Sequence, residues 1–230
     1  MATMRVGMVL YDGCTLLDFA GATQVFAFAP GFEVVWLAPE LCPIETTEKV
    51  KVLPHTTFDK AGKLDVLFVP GGGDQVGTVM QDSTYVSFVK SAGSQARLAG
   101  SICTGAFIVA AAGLFDGCEV TTYWSQRENL ALFPTLRVAA GYPRWVIHEN
   151  RFSGGGISSS IDLALELVSL ISGPTQSMTT QLSVQYAPEP PFQSGDPSQA
   201  PPEVTAAVLK SQESFTAAIR AGVEAVLGGS

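Results

Sequence analysis

The fold is decided by residues 97–117, which read Arg97-Leu-Ala-Gly-Ser-Ile-Cys-Thr-Gly-Ala-Phe-Ile-Val-Ala-Ala-Ala-Gly-Leu-Phe-Asp-Gly117. The first six residues are mostly small or apolar and predict a strand, whereas residues 104–114 predict a buried helix that ends at Gly113. Cys103 lies at the junction. This order is typical of a nucleophile elbow, in which a sharp turn exposes a reactive side chain at the carboxyl end of a sheet.

Cys103 has two interpretations at this point. As a nucleophile, its thiol gains from the amino end of the following helix, which favours the thiolate and lowers the pKa. The backbone N–H of Thr104 would also face an anion forming on a substrate. As a structural residue, Cys103 is simply a buried core cysteine, since free cysteine is among the most buried residue types. The stretch alone leaves both open.

Composition and charge restrict the class of protein. A chain of 230 residues, 47% hydrophobic and 15% charged, suits one large domain or one domain with an appendage. The net charge of −8 argues against nucleic-acid binding, which depends on Lys and Arg meeting phosphates. No apolar run reaches the roughly 18 residues of a membrane span, and no signal-peptide pattern is visible. We therefore expect a cytoplasmic protein that binds neither nucleic acid nor membrane.

The cysteines and histidines give no metal or disulfide pattern. No cysteine pair forms a C-x-x-C motif, and the spacings do not suggest a disulfide framework, so we expect reduced thiols. The four cysteines are Cys14, Cys42, Cys103 and Cys118. His55 and His148 are distant from each other and from every cysteine, so we expect no metal. Neither a dinucleotide motif nor a P-loop is present, so we expect no cofactor.

An acidic residue follows the first predicted strand. Residues 4–10 form a continuous apolar run, as buried parallel strands do. Thr15 predicts the cap of a helix, and Asp18 lies in its first turn between Leu17 and Phe19. An acid in this place is ordinarily solvated and interacts with the helix dipole. Between large apolar residues it would instead be half-buried with a raised pKa.

The rest of the chain alternates strands with helices, which predicts an α/β sandwich with a mainly parallel sheet. Two short strands around Pro54 and His55 suggest a hairpin. The further predicted strands cover residues 32–37, 64–69, 118–121, 137–139 and 144–148, and the further helices cover 84–95, 126–133, 161–171 and 174–185.

Two glycine clusters follow predicted strands, at residues 70–74 and 153–160. The first is either a turn that needs positive φ or a loop that presents backbone donors beside Cys103.

The amino-acid composition changes after residue 185. Residues 186–202 are rich in proline and form either a linker or an ordered arm on a partner, and residues 203–227 predict one final helix. We therefore expect an α/β domain over residues 1–185, with residues 186–230 belonging to the same domain or to a dimer interface.

These motifs resemble those of the DJ-1/PfpI superfamily, over residues 4–185. The shared motifs are Leu17-Asp18-Phe19, Pro70-Gly71-Gly72-Gly73, Ser101-Ile-Cys103-Thr-Gly105 and Gly154-Gly155-Gly156. Within the superfamily the chain is most similar to the bacterial isocyanide hydratases. That likeness lies in Asp18 where many relatives have Glu, in Cys103 followed by Thr104, in the Ala-Ala-Gly-Leu-Phe-Asp-Gly and Thr-Thr-x-Trp runs, and in the tail Gln185-Tyr-Ala-Pro-Glu-Pro-Pro-Phe.

The resemblance implies a flavodoxin-like fold, a homodimer and a cofactor-free enzyme. It implies Cys103 as nucleophile and Asp18 as its proton-transfer partner, with Thr104 orienting the sulfur or a water. Substrate or oxyanion contacts would come from Gly71 and Gly72. Tyr123 belongs to the pocket wall, in a place where relatives often have His.

The implied reaction is the hydration of an isocyanide to an N-substituted formamide through a thioimidate on Cys103. Two other readings remain. Carbonyl deglycase or glyoxalase branches usually place His directly after the cysteine, where this chain has Thr104. A non-enzymatic ligand or redox sensor would use the same pocket or an oxidisable Cys103.

Overall fold

The computed structural model describes residues 3–229. Its strands are β1 (Met4–Val9), β2 (Phe32–Ala38), β3 (Ile44–Glu45), β4 (Lys51–Val52), β5 (Thr56–Thr57), β6 (Val66–Val69), β7 (Leu98–Ser101), β8 (Glu119–Val120), β9 (Arg137–Val138), β10 (Trp145–His148) and β11 (Arg151–Gly154). Its helices are α1 (Leu16–Phe28), α2 (Val76–Val79), α3 (Ser83–Gln95), α4 (Gly105–Ala111), α5 (Arg127–Leu130), α6 (Ser159–Ser172), α7 (Pro174–Ser183), α8 (Pro202–Ser211) and α9 (Glu213–Gly228). Short 3₁₀ turns cover Phe58–Lys60 and Trp124–Gln126.

A seven-stranded sheet forms the centre, in the order β10-β11-β7-β6-β1-β2-β5. Neighbouring strands are parallel except for the antiparallel pair β10 and β11. Strands β6 and β7 are buried along their whole length, which explains their continuous apolar or small residues. The sequence β2-β1-β6-β7-β11 is the doubly wound order of flavodoxin-like folds. The expected fold class is therefore confirmed.

The helices pack in two groups around this sheet. Helix α6 lies against both α1 and α7, and α4 lies against both α2 and α3. Helix α1 carries apolar residues on most of its surface because it is enclosed by β2, α6 and α7. Within residues 3–229, no helix is both long and apolar enough to cross a membrane.

Two edge pairings differ from the sequence prediction. The hairpin around Pro54 and His55 is wrong, because β4 pairs with β3 and β5 joins the main sheet beside β2. The physical reason is local. Proline cannot donate a ladder hydrogen bond, and the His55 N–H donates to the Trp36 carbonyl at 2.8 Å while the two rings stack. Strand β8 is also outside the main sheet, and among residues 3–229 its strand partner is β9 alone.

The C-terminal region is two helices, so the single helix predicted over residues 203–227 is wrong. The break is at Gln212, between α8 and α9. Helix α9 packs on α2 and buries Ile219 and Val223 completely. Gly77 and Gly222 permit the close crossing, because a Cβ on Gly222 would lie 2.6 Å from the Gly77 carbonyl oxygen. Helix α8 has no fully buried residue.

Candidate active site

The carboxyl ends of β1, β6, β7 and β11 meet at one edge of the sheet, and the candidate site lies there. Each strand is followed by a loop that carries a predicted motif. These loops lead to the four segments around Asp18, Gly71, Cys103 and Gly155. Ligands of open α/β sheets bind at this edge, where the strand order reverses between β1 and β6.

Cys103 occupies the sharp turn expected of a nucleophile elbow, with a φ of 55°. Such a φ is uncommon for a residue with a side chain and costs on the order of 1–3 kcal/mol. Three hydrogen bonds hold the turn in place. The Cys103 N–H donates to the carbonyls of Gly155 at 2.8 Å and Gly154 at 3.2 Å, and the Thr122 hydroxyl donates to the Cys103 carbonyl at 2.8 Å. The elbow is therefore fixed from both sides.

Asp18 lies in the first turn of α1 and is completely buried. Its Oδ2 accepts a hydrogen bond from the Gly71 N–H at 2.7 Å, and its Oδ1 has no hydrogen-bond partner among the described residues. Burial raises the pKa of Asp18 well above its ordinary value, the Gly71 hydrogen bond lowers it, and the charge of Glu48 raises it further. The side chain is thus more buried than the half-buried position considered from the sequence.

Gly71 connects Asp18 to Cys103. Its N–H binds the Asp18 carboxyl, while a Cβ on Gly71 would lie 2.8 Å from the Cys103 Cβ and 2.7 Å from the Thr104 nitrogen. The glycine is required by this close approach and not by positive φ, because no residue of the Gly71–Gly73 loop has positive φ. Two groups distant in sequence therefore touch the same glycine.

Thr104 ties the elbow to the glycine loop. The Gly72 N–H donates a hydrogen bond to Thr104 Oγ1 at 3.0 Å, and the Thr104 hydroxyl donates to the Gly72 carbonyl at 3.1 Å. The amides of Gly71 and Gly72, which the sequence analysis offered as substrate or oxyanion donors, thus bind Asp18 and Thr104 in this structure. Their visible effect is to position those two side chains.

The pKa of the Cys103 thiol differs in direction from the expectation. Burial and the charge of Asp18 raise it well above its usual range. The Thr104 amide, the Thr104 hydroxyl and the Ile157 amide lower the pKa, but less strongly. The predicted effect of the helix start is present, yet the net lowering expected from the sequence is wrong because the sequence did not show how dry the site is.

Tyr11 and Cys14 form a second buried layer behind the site. The Tyr11 hydroxyl donates to the Pro70 carbonyl at 2.9 Å, and the Cys14 backbone bridges to Gly72. Burial raises the pKa of Cys14 to about 12, so its thiol stays protonated at neutral pH. Cys14 therefore supports the loop.

Tyr123 lies at the border between the elbow and a groove of about 1080 Å³. Its ring packs on Gly156, where a Cβ would lie 3.1 Å from Tyr123 Cδ2. Its hydroxyl accepts a hydrogen bond from Gln212 Nε2 at 2.8 Å. The groove also includes Thr122 and Ile157, which contact the elbow, so Tyr123 and Cys103 belong to adjoining parts of one region.

The profile of the DJ-1/PfpI family matches residues 4–170, which contain the whole main sheet and every residue of the elbow. The chain belongs to the DJ-1/PfpI family. The resemblance inferred from the motifs is thereby confirmed.

Three relatives illustrate the range of this family. The chain is 37% identical over 201 residues to the isonitrile hydratase of Pseudomonas putida, which covers 87% of this chain and 86% of that protein. The crystal structure of a THiJ/PfpI family protein from Pseudomonas syringae matches with a TM-score of 0.91 at 31% identity, covering 97% of this chain and 91% of that chain. The transcriptional regulator GbdR of Pseudomonas aeruginosa is 30% identical over 173 residues, which are 71% of this chain and 45% of the regulator.

In this DJ-1/PfpI protein, the structure adds site residues that sequence reasoning missed. The Ile157 amide faces the sulfur and Thr122 holds the elbow carbonyl. Glu48 accepts a hydrogen bond from the Leu16 N–H at 3.0 Å, at the start of the helix that carries Asp18. Only Thr122 had a signal, since it belongs to the Thr-Thr-x-Trp run. The other contacts join segments far apart in the chain.

Proposed function

We propose that the protein is an isocyanide hydratase, which converts an isocyanide and water to an N-substituted formamide. The observation that carries the proposal is the contact of one glycine, Gly71, with both Asp18 and the Cys103 elbow. A buried acid and a thiol at such close range provide a proton donor and a soft nucleophile for one carbon atom. The 37% identity to an isonitrile hydratase supports the same reaction.

The reactive form of the pair would hold its negative charge on sulfur and its proton on Asp18. Thr104 and Ile157 favour the charged form of the Cys103 sulfur, whereas the Asp18 carboxyl receives one hydrogen bond. The unpartnered Oδ1 suits a protonated carboxyl, because a buried carboxylate oxygen without a donor is costly. Burial is the larger cause of the raised thiol pKa, and protonation of Asp18 removes the second cause, which is the Asp18 charge.

In the first step, the Cys103 thiolate adds to the terminal carbon of the isocyanide and forms a carbon–sulfur bond. The electron pair that develops on that carbon takes the proton from Asp18. The products are a neutral thioimidate, Cys–S–CH=N–R, and the Asp18 carboxylate. A carboxyl with a raised pKa is suited to this transfer, since its proton is retained near neutral pH.

In the second step, Asp18 acts as a base. It takes one proton from a water molecule whose oxygen adds to the thioimidate carbon. The carbon–sulfur bond then breaks, the thiolate leaves, and the second water proton ends on nitrogen to give R–NH–CHO. Thiolate and protonated Asp18 are regenerated, so the cycle requires only the isocyanide and water. Thr104 would hold the leaving sulfur through its amide and hydroxyl.

Histidine takes no part in this scheme. His55 is exposed and stacks on Trp36, and His148 on β10 accepts a hydrogen bond from the Glu119 N–H at 3.4 Å. The residue after Cys103 is Thr104, so the Cys-His chemistry of deglycase and glyoxalase branches has no counterpart at that position. This favours the hydratase over the alternative enzyme activities.

The direct test measures the production of N-phenylformamide from phenyl isocyanide by chromatography. We expect turnover by the wild type and none by Cys103→Ala. Cys42→Ala is the matched control, since Cys42 is exposed, and it should keep the wild-type rate. The proposal fails if the wild type makes no formamide, or if Cys103→Ala makes it as fast as the control.

The second candidate is a ligand-sensing domain, favoured by the 30% identity to the regulator GbdR. A sensor would bind an isocyanide or another small molecule without consuming it. The same assay separates the two functions, because saturable binding without product would support sensing. The net charge of −8 gives no support to DNA contact by this chain.

We also propose that the chain forms a homodimer, as its resemblance to the family implies. Helix α7 presents Met178, which is 60% exposed, and Leu182, which is 81% exposed. Neighbouring exposed apolar side chains are typical of interaction surfaces. Sedimentation should give a dimer for the wild type and a smaller species for Leu182→Glu. A monomeric wild type would refute the proposal.

A further inference from the structure

The groove beside the elbow is placed to receive the nitrogen substituent of the substrate. One wall contains Leu17, which directly precedes Asp18. Another contains Ile157, whose amide faces the Cys103 sulfur. Both side chains are partly exposed, at 43% and 39%, although the catalytic pair itself is buried. The groove therefore adjoins the elbow, because its lining includes Thr122 and Gly155, which both hydrogen-bond to the Cys103 backbone.

The outer wall comes from the C-terminal region. Phe192 of the proline-rich segment and Val204 and Val208 of α8 line it. Phe192 is 77% exposed, so it presents an aromatic face that the rest of the described chain does not cover. Apolar residues on both walls favour an apolar occupant, because binding removes their surface from water.

The charges of the groove exclude anionic substituents. Among the described residues that line it, four are charged. The one cation, Arg144, is paired with Asp162, which also accepts a hydrogen bond from the Tyr186 hydroxyl at 2.7 Å. Glu189 and Asp196 remain as carboxylates without a cationic partner in the groove. A substituent that carries a carboxylate would meet like charge and find no free cation.

Tyr123 is fixed at the inner end of the groove by the bend of the C-terminal region. Its hydroxyl accepts from Gln212 Nε2, and Gln212 Oε1 accepts from the Ser125 hydroxyl, both at 2.8 Å. Gln212 lies at the break between α8 and α9, and α9 is anchored to the core. The ring is thus held against Gly156, next to Ile157, before any substrate arrives.

We propose that this groove selects isocyanides with a bulky, uncharged, apolar nitrogen substituent, and that Tyr123, positioned by Gln212, determines this specificity. The inference rests on the proposed hydratase function. Because the Tyr123 ring is already held in place, it gives an aryl group a flat surface to pack on. Binding then does not cost the entropy of ordering the tyrosine side chain. A methyl substituent offers little surface to that wall, so we expect the hydrogen bond to have little effect on its binding.

The experiment compares methyl, phenyl and 4-carboxyphenyl isocyanide as substrates. We expect the wild-type kcat/KM for the phenyl compound to exceed each of the other two by about tenfold or more. Tyr123→Phe removes only the hydrogen bond between Tyr123 and Gln212, and Gln212→Leu removes it together with the bond from Ser125. Each should lower kcat/KM for the phenyl compound about three- to tenfold through KM, with the methyl compound unchanged.

Gln95→Leu is the matched control, because Gln95 donates only to Ser91 of its own helix α3. It should leave all three substrates unaffected. The proposal is overturned if the two variants slow methyl and phenyl isocyanide equally, which would indicate a general structural role. It is also overturned if the carboxyphenyl compound is hydrated as well as the phenyl compound.

A binding experiment distinguishes a failure of the groove proposal from a failure of the hydratase proposal. Trp124 lies beside Tyr123, with ring centroids 6.0 Å apart, and reports on the groove by fluorescence. If the wild type hydrates none of the isocyanides, the hydratase proposal is lost, and Cys103→Ala is titrated with N-phenylformamide. Saturable binding that Gln212→Leu weakens about three- to tenfold supports the groove. Absence of binding overturns it.

Discussion

Replacing Gly71 by alanine should damage stability and catalysis together. The added Cβ would lie 2.7 Å from the nitrogen and hydroxyl of Thr104 and 2.8 Å from the Cys103 Cβ. Ordinary van der Waals contact begins at 3.4 Å, so the loop and the elbow must separate by about 0.6–0.7 Å. That shift also lengthens the 2.7 Å hydrogen bond from Gly71 to Asp18.

The magnitude follows from these contacts. Overpacking a tight site costs about 1–3 kcal/mol, and weakening a buried hydrogen bond adds about 1–2 kcal/mol. For a chain of this length each kcal/mol lowers Tm by about 2–4 °C, so we expect a decrease of about 10 °C. A displacement approaching 1 Å between reacting groups costs about a hundredfold in kcat.

Gly73→Ala is the matched control in the same loop. Its Cβ would lie 3.3 Å from Gln75 Oε1 and 3.4 Å from Thr47 Cγ2, which are ends of side chains that can yield. Differential scanning fluorimetry gives Tm, and formamide production gives kcat. The reasoning is refuted if Gly71→Ala and Gly73→Ala show the same Tm and the same rate.

Two further substitutions test the electrostatics of the pair. Folding raises the pKa of Asp18. The stability that this group contributes is therefore complete at pH values below the pKa of Asp18 in the unfolded chain, and it is lost as the pH rises through the pKa of Asp18 in the folded protein. Asp18→Asn should therefore be more stable than the wild type near pH 8, by a margin that shrinks toward pH 5, and parallel Tm curves would contradict this. Thr104→Val removes the hydroxyl that binds Gly72 and lowers the pKa of Cys103, so haloacetamide alkylation of Cys103 should slow about threefold or more at fixed pH. Thr104→Ser should restore the rate, and equal rates in all three proteins would exclude the hydroxyl.

The central sheet and the elbow were predictable because their signals are local. Strands such as Val66–Val69 are continuous apolar runs, and the cysteine between a strand and a helix needs only its immediate neighbours. The outer pairings were not predictable. Whether β8 joins the main sheet depends on distant partners, and the break at Gln212 follows from α9 packing on α2.

The proximity of the candidate site residues was more predictable than their energetics. The flanking residues Leu17 and Phe19 indicated a half-buried Asp18 with a raised pKa, although only as one of two alternatives. The direction of the Cys103 pKa depends on burial and on a charge 85 positions earlier in the chain, and neither is visible in the local pattern. The bond from Gln212 to Tyr123 spans 89 residues and had no sequence signal.

The central claim is that Asp18 and Cys103 act as one unit, and a double-mutant cycle tests it most directly. Formamide production is measured for Asp18→Asn, Cys103→Ser and the double variant. Residues of a catalytic unit give strongly non-additive losses. We predict that each single variant loses about a thousandfold or more in kcat and that the double variant is no slower than the worse single one. Losses that multiply in the double variant would contradict the account, because they would show that the two groups act independently.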